Sequence, residues 1–493
     1  MKKTAIFARI LSALLVLCML LTVFAACQAE NEDGSSDGTQ GADATTPCEE
    51  ATDELKDDLP EDLKFDRDFK ILGNQNRQHQ YWSETSDATA GISAVIYQRN
   101  STVEDRLGVA LQWTFLPGEG NNISSFVEAI KVKSDSGDPF DGVIAYNLVP
   151  QVVANQGLAA NLYDTEYIDL NMPWWPEVYQ REMIVNDQLY CLVESGSYGL
   201  LNHMMAMYFS NDLLNARKME SPYTLVENNQ WTVTKLSEMI KDTYEDKDGN
   251  GAVDKNTDVF GYCTGTKSKM DCWFFALGNQ MSVVQDNTVI SLLGGDHIGT
   301  FVDTMVDFFE GNDAQHYDSS QFKMFRENRV YFYCSSVMLS ENLAEVPDAQ
   351  YNYGVVPMPK MDSNQERYYT HVANCHDTWC VPYNVKDMDC TSAVMECMAY
   401  EAYMQINPTY YDIYVKLRYA SDERLAAMYD LIRDSVTFDF IYLFSRSFPS
   451  MPGDLVKNCV LTPESKQWAT VYAQNQDSLN QSFESIVATY ESK

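Results

Sequence analysis

Between Phe69 and Tyr146 the apolar residues change period from one segment to the next, and that succession limits what kind of core the chain can build. Phe69-Lys70-Ile71-Leu72-Gly73 reads as a strand. Ile92, Val95, Ile96, Val103 and Leu107 then fall on one face of a helix, with Gly108 placed to stop it. Val109, Leu111, Trp113 and Phe115 alternate, which is the period of a half-buried strand. Ile123, Phe126, Val127 and Ile130 mark a second helix ended by Gly137, and Phe140 to Tyr146 reads as a third strand. This order predicts a parallel, doubly wound α/β sheet. Such sheets take ligands beyond the carboxyl ends of their strands. Asn74, Gln75, Asn76, Arg77, Tyr146 and Asn147 lie just past two of those ends, and polar side chains there suit a hydrophilic ligand.

The N-terminus points to a compartment. Lys2, Lys3 and Arg9 precede an almost wholly apolar run from Ile10 to Ala26, which closes in small residues before Cys27. That is the layout of a secretory signal peptide over residues 1–26. The run is slightly short of the roughly 20 residues a membrane span needs. Phe24-Ala25-Ala26-Cys27 resembles a bacterial lipobox, although Phe24 stands where leucine is usual. The resemblance implies cleavage before Cys27 and diacylation of that cysteine. Each buried methylene of a lipid chain adds about 0.8 kcal/mol of membrane affinity. The other reading is an ordinary secreted protein with an incidental cysteine. Residues 28–62 are rich in Glu, Asp, Gly, Ser and Thr and lack aromatics, so they cannot bury enough surface to order themselves. They read as a solvated tether spanning roughly 30–35 Å.

The body, from Leu63 to Lys493, is too long for one ordinary core and predicts two lobes. Acidic residues outnumber basic ones by 71 to 35. This excludes nucleic acid, whose phosphates demand basic patches. It also excludes a body lying flat on anionic lipid. Ten of the 12 cysteines are scattered through the chain beyond Cys18 and Cys27, with no CxxC pair to suggest a zinc ribbon. Cys375 and Cys380 are near enough in sequence to pair.

Several segments, in order, resemble the bacterial extracellular solute-binding proteins of ABC transporters, of the maltose-binding-protein type. Phe140-Asp141-Gly142-Val143-Ile144 is similar to that family's strand before a ligand-contacting loop, and Val185 to Tyr190 to its "NGKLY" hairpin. Met205 to Leu213 resembles a strand and helix start, and Trp231-Thr232 with Leu236 resembles "TWdEL", where Thr232 would cap a helix. Asn328-Arg329-Val330 matches loosely, with Asn328 in place of the family's glycine. Tyr353 to Pro359 resembles the crossover "yGvaplP", and Trp379 to Asn384 a following strand. The resemblance implies two discontinuous α/β lobes joined by a hinge, at 63–200 plus 357–402 and 201–356 plus 403–493. A ligand would lie between them. The protein would be a monomer delivering a small polar solute, a sugar above all, to a permease. Tyr146, Glu194, Ser195, Trp273, Ser335 and Ser336 would fall in ligand-contacting loops.

Aromatic residues in loops offer flat faces for the C–H side of a sugar: Trp174-Trp175, Trp273-Phe274, Tyr368-Tyr369, Trp379 and Tyr410-Tyr411. Each could equally be core. With the polar residues past the strand ends, the expected ligand set is Asn74, Asn76, Arg77, Tyr146, Asn147, Glu194, Ser195, Trp273, Ser335 and Trp379. Asp246, Asp248, Asn250 and Asp254 have the oxygen spacing that opens a calcium loop, with Gly251 sixth. The twelfth position, Thr257, lacks the bidentate glutamate. A structural calcium is one reading and a self-bonded Asp/Asn/Gly turn the other; no other cofactor is expected. His371, Cys375 and His376 match no metal spacing and read as loop residues. No nucleophile elbow, P-loop, dinucleotide or zinc-protease motif occurs, so no enzyme is expected. A glycosidase would need only two suitably placed carboxylates and stays as the alternative, as does a receptor for peptides or polyamines.

Overall fold

The computed structural model describes residues 55–265, 268–312, 314–316, 321–344, 352–410, 423–462 and 467–491. The signal segment, Cys27, most of the tether and Tyr411 lie outside them. Two sheets organise the body. The first joins β1 (Arg67–Asn74), β2 (Val109–Leu116), β3 (Gly142–Tyr146) and β12 (Asp377–Cys380) in the order β12-β3-β1-β2. The second joins β4 (Met205–Ser210), β5 (Phe260–Thr264), β8 (Ala314–His316), β9 (Val330–Ser336) and β10 (Tyr353–Val356) in the order β10-β4-β9-β5-β8. A hairpin of β6 (Ser282–Gln285) and β7 (Thr288–Ser291) and a short pair of β11 (Thr370–His371) and β13 (Val436–Thr437) complete the strands among the described residues.

The first three strands form as their spacing predicts. β1 pairs in parallel with both β2 and β3, placing Ile71 opposite Trp113 and Gly142. Gly73 permits this packing, because a Cβ there would meet the Phe115 ring at 2.7 Å. Helix α1 (Ile92–Leu107) buries Ile96, Val103 and Leu107 and stops at Gly108, which turns left-handed at φ 62° and ψ 35°. Helix α2 (Ile123–Asp135) buries Ile123, Phe126, Val127 and Ile130. Asp141 precedes β3 and ties the sheet together, accepting from the Lys70 amide at 2.8 Å and from Arg67 at 2.6 Å.

The sheet departs from the all-parallel expectation at its fourth strand. β12 runs antiparallel to β3, with Asp377 opposite Tyr146 and Cys380 opposite Val143. The chain leaves the first sheet after Leu192, which bridges to Trp379, builds the second sheet, and returns after β10. The predicted hairpin at Val185–Gln188 is present, with Asn186 and Asp187 both at positive φ. β4 and β9 are buried along their whole length, as central strands covered on both faces must be. Cys375 and Cys380 remain separate thiols.

Four later helices line the site or fill the core: α3 (Ser268–Ala276), α4 (Met388–Glu401), α5 (Phe440–Leu443) and α6 (Pro452–Leu461). Helix α4 is buried along nearly all its length and carries Glu396 into the first lobe's core. There Glu396 accepts the indole N–H groups of Trp174 and Trp175 at 2.8 and 2.7 Å. The tryptophan pair, a candidate for ligand stacking by sequence, is therefore core. The rings bring apolar bulk and two donors to the one buried acceptor.

Burial pushes the Glu396 carboxyl up to about 7, against the downward pull of the two indoles. The folded state thus keeps a proton that the unfolded chain releases at an ordinary glutamate value. This contribution to stability is therefore complete below about pH 4 and is lost as the pH rises through about 7. Urea unfolding at pH 5 and pH 8 should show wild type losing about 1–3 kcal/mol more stability than Glu396→Gln over that interval. Glu396→Ala leaves two buried donors unpaired and should cost about 2–5 kcal/mol at pH 7.

Candidate functional site

β3 ends at Tyr146 beside a half-open cavity of about 460 Å³. Tyr146, Leu148 and Asn374 come from the first-sheet side. Asp271 of α3, Tyr442 of α5, Ser445 and Arg446 of the following turn, and Asp454, Lys457 and Asn458 of α6 form the opposite wall. A chain of hydrogen bonds crosses from one wall to the other. Asn147 donates to Asn374 Oδ1 at 3.2 Å, Asn374 donates to Tyr442 Oη at 2.9 Å, and Tyr442 donates to Asp271 Oδ2 at 3.0 Å. Lys457 stands 3.8 Å from Asp271 and 2.6 Å from Asp454.

Electrostatics follow from enclosure. Burial raises the Asp271 carboxyl, while Lys457 and the Tyr442 hydroxyl hold it back. Burial also works to lower Lys457, but Asp271 and Asp454 outweigh it and raise the ammonium's value. The Tyr146 phenol is raised, chiefly by burial. The wall is therefore a set of fixed dipoles and paired charges, able to hydrogen-bond a polar guest without reorganising.

Next to Tyr146, the loops after β1 and β2 make a second polar group. Arg77 bonds Glu119 at 2.7 Å, Asn74 donates to Glu119 and to Asp377 at 3.3 Å each, and Asn76 Oδ1 accepts the Gly118 amide at 3.2 Å. The structure thus gathers Asn74, Asn76, Arg77, Tyr146 and Asn147 at the carboxyl end of the first sheet. Their exposure differs. Asn74 and Asn147 are fully buried and brace the loops, Asn147 also accepting from Thr378 at 2.8 Å, whereas Asn76 is exposed and Tyr146 and Arg77 are half-buried.

The remaining sequence candidates lie elsewhere. Glu194 is sealed behind the first sheet, accepting from Trp379 Nε1 at 2.6 Å and standing 4.0 Å from the buried Arg99. Ser195 donates to the Pro173 carbonyl at 2.8 Å. Trp273 is fully buried against Phe308 and donates to Tyr262 Oη at 2.7 Å. Ser335, next to last in β9, lies close to Lys269, whose ammonium bonds Tyr333 Oη at 2.5 Å. None of these lines the cavity. Sequence reasoning missed Asp271, Tyr442, Arg446, Asp454 and Lys457. They lie on short helices far along the chain, with no motif, and only the fold brings them to Tyr146.

The acidic turn is also redrawn. Asp246 and Asp248 converge with Asp258, their carboxylate oxygens within 4.8 Å of one another, and Asn250 donates to Asp248 Oδ2 at 2.8 Å. Asn250 and Asp254 instead accept the amides of Ala252 and Asn256 at 2.6 and 2.8 Å. Asp258 accepts from the Asp254 amide at 2.7 Å, Tyr244 Oη at 2.8 Å, Thr257 Oγ1 at 3.1 Å and the Lys247 amide at 3.3 Å. The backbone contact from Asp254 is the main cause of its lowered pKa. His371 and His376 are buried and held neutral by desolvation, at about 3 and about 4. The His371 ring stacks on Phe275 at 4.8 Å.

No family model matches the sequence, and no curated protein matches it. Solved structures do. A maltose/maltodextrin-binding domain from Bdellovibrio bacteriovorus, bound to maltotriose, aligns over 85% of this chain and 100% of its own at TM-score 0.52 and 12% identity. The chain has the two-lobe fold of the periplasmic binding proteins. An ABC substrate-binding protein from Listeria monocytogenes in complex with cycloalternan shares this binding-protein fold over 85% of this chain and 100% of its own, at TM-score 0.51 and 10% identity. A cyclic α-maltosyl-1,6-maltose-binding protein from Arthrobacter globiformis does so over 86% and 99%, at 0.52 and 11%.

Within this fold the acidic turn is a brace whose bonds converge on Asp258. Asp258→Asn replaces one of the two accepting oxygens with a donor amide and should lower the thermal midpoint. Asp248→Asn, which disturbs a single turn, should lower it less. Differential scanning calorimetry of both variants checks the order.

Proposed function

We propose that this chain is an extracytoplasmic binding protein that captures a sugar or oligosaccharide between its lobes and delivers it to an ABC transporter permease. The observation that carries this reading is the cavity beside Tyr146, lined by Tyr146, Asn374, Asp271 and Tyr442 and crossed by the Asn147–Asn374–Tyr442–Asp271 chain. Hydroxyl-rich guests need several fixed donors and acceptors around an apolar face, and Tyr146, Asn374, Asn458 and Leu148 offer both kinds of surface. Solved proteins of the same fold hold maltotriose and cycloalternan, which supports the solute class. Closure would be a hinge motion of one lobe on the other, at the boundaries read from the sequence. Cys27 would carry the lipid, and residues 28–62 would give the body its reach.

Of the expected ligand set, Tyr146 and Arg77 are the side chains we assign to contact. Asn74 and Asn147 position them. Glu194, Ser195, Trp273, Ser335 and Trp379 support the lobes. The glycosidase alternative calls for carboxylates facing each other across the cleft. Asp271 and Asp454 instead come from α3 and α6 on the same wall and share Lys457, and on the Tyr146 side Glu119 is paired with Arg77. Binding without turnover is the reading this supports.

A thermal-shift and calorimetric screen of the full chain against neutral and charged saccharides, peptides and polyamines tests it. A saccharide should raise the midpoint and be recovered unchanged. Saturation at a hundredfold excess over Kd corresponds to about 2.7 kcal/mol. Tyr146→Ala should weaken that binding at least tenfold, and Trp273→Phe should change stability but leave affinity within about twofold. Hydrolysis of the saccharide would make the protein an enzyme, and a response to polyamines or peptides alone would replace the solute.

A further inference from the structure

In this strongly acidic chain, the arginines are almost all spoken for. Among the described residues every arginine other than Arg446 has a carboxylate, carbonyl or aromatic partner. Arg67 bonds Asp141, Arg77 Glu119, Arg106 Asp57 and Arg424 Glu227, while Arg326 and Arg367 lie over rings. Arg99, Arg181, Arg217, Arg329 and Arg433 are likewise paired. Arg446 alone among them is uncommitted, and it lines the cavity beside Tyr146. The two carboxylates on that wall do not claim it, since both are drawn to Lys457, and Asp271 also accepts from Tyr442.

Arg446 is well placed to meet a guest. It sits in the turn Ser445–Ser447, where Ser445 is buried and the Ser447 and Phe448 amides bond back to Phe444 and Ser445 at 2.8 and 3.2 Å. The turn is thereby fixed while the guanidinium stays exposed. Arg446 and Tyr146 line the same cavity. A planar guanidinium in such a place offers a two-pronged fork that matches an oxyanion.

We infer that the cavity takes a saccharide carrying an oxyanion, with Arg446 binding the charged group while Tyr146 and Asn374 meet the sugar. This rests on the saccharide reading above and narrows it. A uronate carboxylate, a sulfate ester and a phosphate ester share the chemistry that Arg446 recognises.

Isothermal titration of the full chain tests the inference. The probes are glucuronate and galacturonate oligosaccharides, their carboxyl-reduced neutral forms, and sulfated and phosphorylated saccharides. One oxyanion class should bind at least tenfold more tightly than its neutral counterpart, and which class does so identifies the source of the charge. Arg446→Gln should erase most of that preference, and Arg446→Lys, which keeps the charge but not the fork, should keep part of it. Because Arg446 is exposed and bonds nothing, both variants should melt with the wild type. Neutral saccharides binding as tightly as charged ones, or a preference unmoved by Arg446→Gln, would overturn the inference and leave the saccharide reading standing. No binding by any saccharide would overturn both.

Discussion

Tyr442 makes the contact on which the site depends. Its hydroxyl accepts from Asn374 on one wall and donates to Asp271 on the other, so one oxygen couples two separately built halves. Each bond contributes about 0.5–1.5 kcal/mol net, too little to lock the halves and enough to favour one relative placement. Asp271 in turn shares Lys457 with Asp454, so the second wall reaches the junction already paired. The result is a lining whose polar groups are oriented by each other before any guest arrives.

The lobes themselves are held by a different device. In each, a buried carboxylate or phenol oxygen accepts indole N–H donors: Glu396 takes Trp174 and Trp175, Glu194 takes Trp379, and Tyr262 takes Trp273. Aromatic side chains bury large surfaces, but the indole N–H must find a partner when sealed from water. Supplying one buried carboxyl to several rings meets that demand. It also explains why so many tryptophans that look free in the sequence are unavailable to a ligand.

Legibility in the sequence followed the range of the interactions. α1 from Ile92 to Leu107, its stop at Gly108 and the three parallel strands were readable because each depends on neighbours a few residues away. The polar residues after β1 and β3 were readable because strand ends in such sheets are recurrent binding points. The antiparallel β12 was not, since Asp377 meets Tyr146 only through the finished fold. Nor was the second wall, as nothing local marks Asp271, Tyr442 or Lys457 as neighbours. Trp273 and Trp379 misled because a tryptophan's type does not tell which side of it faces water. In the acidic turn the spacing pointed to Asp254, while the chain folds back to bring Asp258 to Asp246 and Asp248.

The strand order has a bearing on biogenesis. β12 lies beside β3, yet about 230 residues separate them, the whole second sheet intervening. A chain made N-terminus first presents β1, β2 and β3 long before the strand that covers β3's open edge. Until then the edge is a bare row of amide groups, the kind that recruits other chains. The late return of β12 thus sets a waiting period, during which the emerging polypeptide must be shielded or remain unfolded, so completion of the first sheet is timed by the position of one four-residue strand.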